Sequence, residues 1–230
     1  MDNHYPTANN QTMIITFATQ KGGAGKTTLA IAFANYLTEV SQRKIKAYDF
    51  DFQKSFFNKW KEDEYSELPK LYEVELIGDD EEEDQPFADL EKIIGLKESE
   101  AIYLFDLAGT LDQKYSDLLI YSDFIIIPFE YSDVSVKSTL VFKNLLGLLE
   151  SEAERIFIRS KYDKGYKYLN QKEMDIEISK YGTLIESPVY KRNCLQTINT
   201  RKLTYEQRYA IKKPFNEIIE QISEALQITF

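Results

Sequence analysis

Cysteine and histidine are nearly missing from this chain: Cys194 and His4 are the only copies in 230 residues. A lone cysteine forms no internal disulfide and cannot by itself hold an iron–sulfur cluster. With one histidine beside it, there is no set for a structural zinc site, a Cys–His nucleophile or a Ser-His-Asp triad. Any chemistry therefore falls to carboxylates, lysines and a bound metal. Long apolar runs are missing too. None approaches the roughly 18 to 20 residues of a membrane span, and the polar stretch 1–12 has no signal-peptide core. The expectation is a cytoplasmic protein without membrane contact. Six prolines and nine glycines are scattered, with no repeat, linker or low-complexity tract, so residues 1–230 are expected to form a single domain.

What is present is organised around Gln20-Lys21-Gly22-Gly23-Ala24-Gly25-Lys26-Thr27-Thr28. An apolar run, Met13 to Ala18, precedes it and a helix-like segment, Leu29 to Val40, follows, giving the order strand, glycine loop, helix. Glycines let successive backbone N–H groups converge on one anion, at a helix N-terminus that already favours negative charge. The spacing predicts that Lys26 reaches the β- and γ-phosphates of a nucleotide and that the Thr27 hydroxyl ligates Mg²⁺.

Two more apolar runs end in acids. Ile45-Lys46-Ala47-Tyr48-Asp49-Phe50-Asp51 carries carboxylates on alternate residues, which places both on one face at a strand's C-terminal end. In an open α/β sheet that end is where ligands bind. The same two acids also suit a cap on the following helix, expected over Ser55–Glu64 with Trp60 in the core. Ala101-Ile102-Tyr103-Leu104-Phe105-Asp106 reads as a buried parallel strand whose terminal acid, Asp106, holds Mg²⁺ through water.

The loop from Lys21 to Thr28 resembles the deviant Walker A box of the ParA/MinD family of ATPases, and Asp49-Phe50-Asp51-Phe52-Gln53-Lys54-Ser55 resembles that family's Asp-x-Asp-Pro-Gln-x-Ser box. The resemblance implies that Lys21 reaches across a dimer interface to the partner's nucleotide. It implies also that Asp51 positions or activates the attacking water, that Asp49 sits near the metal's hydration shell, and that Gly109 offers an N–H to the γ-phosphate. Phe52 stands where proline is usual, and Leu107-Ala108-Gly109-Thr110 where the family more often has Pro-Pro. The asparagine that commonly reads the adenine edge is absent from Arg159-Ser160-Lys161, while the backbone around Pro188 resembles the segment covering the base. The shortage of cysteine counts against the nitrogenase iron-protein branch.

The rest of the chain fits a mostly parallel sheet with helices on both faces, a P-loop NTPase fold. Leu71–Leu76, Phe124–Pro128, Arg155–Ile158 and Leu184–Val189 read as further strands. A helix beginning at Ser132 is expected to bury Val141, Leu145, Leu148 and Leu149. The terminal helix places Ile211, Phe215, Ile218, Ile219, Ile222 and Leu226 at three- and four-residue steps, opposite Glu217, Glu220 and Glu224. That acidic face would be repelled by an anionic membrane. Asp79 to Asp84 is six consecutive acids, most simply a solvated loop.

The net charge of −10 is unevenly spread: −15 over residues 1–154, +8 over 155–213 and −3 over 214–230. Within the basic region, Lys191, Arg192, Arg201, Lys202, Arg208, Lys212 and Lys213 are the candidate contacts to DNA phosphates, which need no base reading. Lys161, Lys164 and Lys167, interleaved with tyrosines, form a weaker second patch.

The resemblance implies an ATP- and Mg²⁺-dependent ATPase that forms a homodimer in the ATP state, holds nonspecific DNA and is nucleoid-associated. A small centromere-binding or adaptor protein would stimulate hydrolysis, for plasmid or chromosome partition or cargo positioning. The short stretch before the first strand is expected to leave no room for a helix-turn-helix. The alternatives are a MinD-like membrane or protein-recruitment switch and a metabolic P-loop kinase or synthetase.

Overall fold

In the computed structural model, residues 12–20, 22–77, 95, 101–109 and 115–228 are described; Lys21, Thr110 and the acidic run 79–84 lie outside them. Seven strands form one sheet: β1 Met13–Phe17, β2 Ile45–Phe50, β3 Glu73–Leu76, β4 Ile102–Leu107, β5 Phe124–Phe129, β6 Glu154–Arg159 and β7 Thr183–Leu184. Their order is β3-β2-β4-β1-β5-β6-β7, and every pairing is parallel. β1, β4 and β5 are buried along their whole length, as continuous apolar runs covered on both faces must be.

The helices are α1 Lys26–Glu39, α2 Ser55–Glu62, α3 Ser116–Tyr121, α4 Asp133–Leu148, α5 Gln171–Ser179 and α6 Tyr205–Leu226. They pack on both faces of the sheet, giving two cores. One joins Met13, Ile15 and Phe17 of β1 to α1, α2 and α6, while the other joins Ile14 to α3, α4 and α5. This division follows from the period of two along β1, which sends alternate side chains to opposite faces.

The chain leaves β1 toward β2 on one side and later crosses from β4 to β5 on the other. Such a reversal opens a crevice at the carboxyl ends of the strands. Register fixes what meets there, because Asp106 of β4 pairs with Asp49 on β2 and with Phe17 on β1, directly before the glycine loop.

α6 begins with a reciprocal cap between Thr204 and Gln207, and it buries Ile211, Phe215, Ile218 and Ile222. Phe215 stacks edge-on against Phe33 and Tyr36 of α1, and Ile219 and Leu226 are half-buried, so the expected apolar stripe is the one that packs.

Two expectations are corrected. Among the described apolar side chains of α4, Phe142 and Leu146 are buried, with Leu145 and Leu149 half-buried, whereas Val141 and Leu148 are exposed. The segment is so rich in leucine that two stripes one residue apart satisfy the helical period. The last strand covers only Thr183 and Leu184, because beyond Ile185 the chain turns away to build the site described next.

Phe215→Ala is expected to cost about 3 to 5 kcal/mol, the usual range for emptying a buried aromatic site. Leu148→Ala, at 83% exposure, is expected to change stability by no more than about 0.5 kcal/mol. Chemical denaturation of the two variants distinguishes this packing from the stripe read off the sequence.

Candidate nucleotide site

α1 starts without a cap. Its N-cap residue, Gly25, has φ +80°, offers no side chain, and is followed by a first turn that contains no acid. The contrast is with α6, where Thr204 and Gln207 satisfy the first N–H groups. An uncapped N-terminus of this length holds its N–H donors and positive dipole end open to an anion. Gly22 and Gly23 are exposed and Ala24 is buried. Gly25 is suited to glycine by its left-handed backbone, and an added Cβ would also stand a tight 3.1 Å from Ser160 Oγ.

Lys26 opens the helix and turns inward. Only 7% exposed, it donates to Asp106 Oδ1 at 2.7 Å and stands 3.9 Å from Asp51 Oδ2. The loop lysine and the carboxylates of two strand ends, read from three separate motifs, thus converge on one point. The second oxygen of Asp106 is buried and has no hydrogen-bond partner. An orphaned carboxylate oxygen, with the half-buried Thr27 next in the chain to Lys26, suits a hard cation that brings its own water. Among the described residues no cluster of three or more acids, histidines or cysteines could hold a metal alone. Mg²⁺ is commonly held in this way, by one or two protein oxygens with phosphate and water supplying the rest.

Asp49 and Asp51 divide their work. Asp49 is fully buried; its Oδ2 accepts the N–H groups of Phe56 and Phe57 at the start of α2, and its Oδ1 accepts that of Asp51. The helix-cap reading is therefore the geometry observed for Asp49. Burial, to which the Asp106 charge adds and the three N–H donors are opposed, pushes its carboxyl from 3.8 up to about 6. Asp51 remains partly open, with Oδ1 accepting from Gln53 N and Oδ2 directed at Lys26. Phe52 is exposed, so the missing proline changes a surface position. Gly109 is half-buried just past β4.

Beside the loop opens a pocket of about 500 Å³, lined by Gly25, Thr28 and Leu29, by Ser160, Lys161, Asp163 and Tyr168 after β6, and by the segment Val189–Arg192. Pro188 is not among its lining residues and faces a neighbouring groove, so the wall begins one residue later than the sequence suggested. Ser160 and Lys161 enter the sequence reading only as the strand end without the adenine-reading asparagine and, for Lys161, as part of the weaker basic patch, and Asp163 does not enter it. Their signal was position alone, since they follow the strand end that faces the loop.

The basic region separates into parts. Arg201 is buried, donating to the carbonyls of Trp60 and Asp63 and lying over the Trp60 ring, and Arg208 is paired with Glu39 at 2.7 Å. Arg201 is structural and leaves the set of DNA candidates, whereas Arg208, with its side chain 41% exposed, stays in it. Lys191, Arg192, Lys202, Lys212 and Lys213 are exposed. Arg192, Lys212 and Lys213 line a groove of about 600 Å³ together with Lys164, Tyr190 and Tyr209, which joins the two patches read separately from the sequence.

Over residues 15–206 the chain matches the CobQ/CobB/MinD/ParA nucleotide-binding domain. It belongs to that family. No curated protein matches its sequence. Solved structures share the fold at low identity. One is a protein assigned to plasmid partition from Borrelia burgdorferi, bound to AMPPNP, at 18% identity and TM-score 0.71, with 94% of this chain and 99% of that one aligned. Another is pNOB8 ParA bound to nonspecific DNA, at 14% identity and TM-score 0.64, with 93% and 99% aligned. A third is the MinC:MinD cell division complex of Aquifex aeolicus, at 14% and 0.69, with 92% and 96% aligned. A ParA/MinD-type nucleotide-binding fold is thus common to all of them.

Since the folded chain keeps the Asp49 proton where the unfolded chain has released it, Asp49 contributes stability below 3.8 that is lost as pH rises through about 6. With metal chelated, the stability of the wild type relative to Asp49→Asn is expected to fall between those values and to level off above them. Denaturation curves across that range measure it, and a difference that rises with pH would mean that Asp49 is ionised and held by its N–H donors.

Proposed function

We propose that the chain is an ATP-dependent, dimerising ATPase of the ParA type that holds nonspecific DNA in its ATP state and hydrolyses ATP when a partner protein stimulates it. The observation that carries this reading is Lys26, poised at the uncapped end of α1 between Asp106 and Asp51.

The residues take separate roles. The N–H groups from Gly22 to Thr28 cradle the phosphates, and Lys26 moves from Asp106 to the β- and γ-phosphates. Thr27 and Asp106 would hold Mg²⁺, which would offset charge developing on the phosphates. Asp51 orients the attacking water, because its carboxylate is the partly open one of the pair. Asp49 shapes the Asp51 turn from behind and stands next to the metal's shell. Lys21 is assigned the dimer-crossing role and Gly109 a γ-phosphate contact, both by resemblance. The base lies against Ser160 and Val189, with Pro188 behind that wall.

DNA phosphates are assigned to the groove of Lys164, Arg192, Lys212 and Lys213, with the exposed Lys191 and Lys202 and the partly exposed Arg208 as further contacts. This favours the nucleoid over a membrane as the working surface. The apolar face of α6 is spent on packing against α1, and no helix among the described residues is long and apolar enough to cross a membrane. Partition of DNA or positioning of a cargo over the nucleoid would be the outcome.

Lys26→Ala is expected to abolish ATP binding. Asp51→Ala is expected to keep ATP binding, lower turnover by about a hundredfold or more, and accumulate as a dimer with ATP. Light scattering that finds Asp51→Ala monomeric with ATP would contradict the dimer assignment, and turnover unchanged in Lys21→Ala would favour a metabolic enzyme.

Replacing Lys212 and Lys213 together by alanine is expected to weaken DNA binding equally across sequences. It should also reduce the slope of log affinity against log salt by up to about 2. An unchanged slope removes this groove from the account.

A further inference from the structure

Three cations line the pocket beside the glycine loop: Lys161, Lys191 and Arg192. Among the described residues, Lys161 is the one whose ammonium touches the loop, donating to the carbonyl of Gly23. Its Cε also lies 3.6 Å from where a Cβ on Gly25 would stand, so the side chain spans the mouth of the pocket from the end of β6 to the loop.

The backbone holds this reach in place. Ser160 N donates to Phe129 O, Tyr162 N to Val189 O and Lys191 N to Tyr162 O, which fixes the chain on either side of position 161. Lys161 itself has φ +51°, a left-handed conformation that a lysine adopts only under constraint. The side chain, by contrast, is lightly held. Besides a neutral carbonyl, its partner is Glu130 at 3.3 Å, with side chains 47% and 30% exposed. An ion pair so open to solvent is weak and easily exchanged. Lys26, the other cation at the loop among the described residues, is already committed to two carboxylates.

We infer that Lys161 is a phosphate-contacting residue outside the glycine loop: when a nucleotide binds, its ammonium leaves Gly23 and Glu130 for the polyphosphate, and the site thereby discriminates nucleotides by phosphate number. The inference rests on the reading of this pocket as the nucleotide site and adds to it a second cation delivered by β6. A polyphosphate draws the lysine away because it offers several charged acceptors in place of one neutral carbonyl and one solvated carboxylate. Glu130 is then the resting partner that keeps the lysine near the loop without binding it tightly.

The test is calorimetric titration of the full chain with ATP, ADP and AMP at fixed Mg²⁺. Lys161→Met is expected to weaken ATP binding by about tenfold or more, as loss of a charged hydrogen bond does, ADP less, and AMP not at all. Lys161→Arg should restore ATP binding, and Glu130→Gln should leave it intact or tighten it. Equal losses for all three nucleotides would mean that Lys161 only supports the pocket wall, and no loss for any would mean that it makes no contact; either overturns the inference. Circular dichroism checks that the variant is folded, as expected for an exposed side chain. A wild type that binds none of the three would overturn the nucleotide reading itself and this inference with it, whereas a wild type that binds them while Lys161→Met loses nothing leaves that reading standing.

Discussion

The site depends on one buried ion pair, Lys26 with Asp106, at the carboxyl edge of the sheet. A charge as buried as Lys26 is stable only with a partner, and Asp106 supplies it from a strand that lies against the strand feeding the loop. The pair therefore sets constraints on both sides. β4 must enter between β2 and β1, and the glycine loop must deliver a lysine at the first position of α1. In this arrangement the site is neutralised from within. In the proposed function a nucleotide would displace Asp106 from Lys26, and the carboxylate so released is the one whose other oxygen already lacks a partner. Phosphate and metal would then be accommodated by the same exchange.

The remaining features extend outward from that pair. Asp49, one register position across from Asp106, is held among backbone N–H groups and so fixes the turn that carries Asp51 toward Lys26. On the opposite side, the chain after β6 runs along the pocket and bridges to the segment 189–192. Tyr190 and Arg192 line both the nucleotide pocket and the basic groove. A cluster of tyrosines, 131, 162, 168 and 190, braces this wall with ring centroids 5.0 to 5.9 Å apart. Nucleotide and groove accordingly share a wall, a short physical path by which the state of one can be felt at the other.

Much of this was legible in the sequence, for identifiable reasons. Buried parallel strands are continuous apolar runs, and a carboxylate at the end of one has few explanations, so Asp49, Asp51 and Asp106 could be gathered around Lys26 before any coordinates. The base wall was harder, because Ser160 and Lys161 carry no signature beyond following a strand. Arg201 was misread for a different reason. Whether an arginine faces solvent depends on partners far away in the chain, here Trp60 and Asp63, and composition is blind to them. The stripe of α4 failed through redundancy: with so many leucines, a shift of one residue fits the period equally well. Lys21, the residue on which the dimer assignment turns, lies outside the described residues.

The account's central claim is that the ATP state, and only that state, holds nonspecific DNA. Retention of the purified chain on duplex DNA of unrelated sequence, measured with ATP, with ADP and without nucleotide at one fixed salt concentration, tests it directly. Retention with ATP alone is the predicted result; equal retention in all three conditions, or none in any, would contradict it.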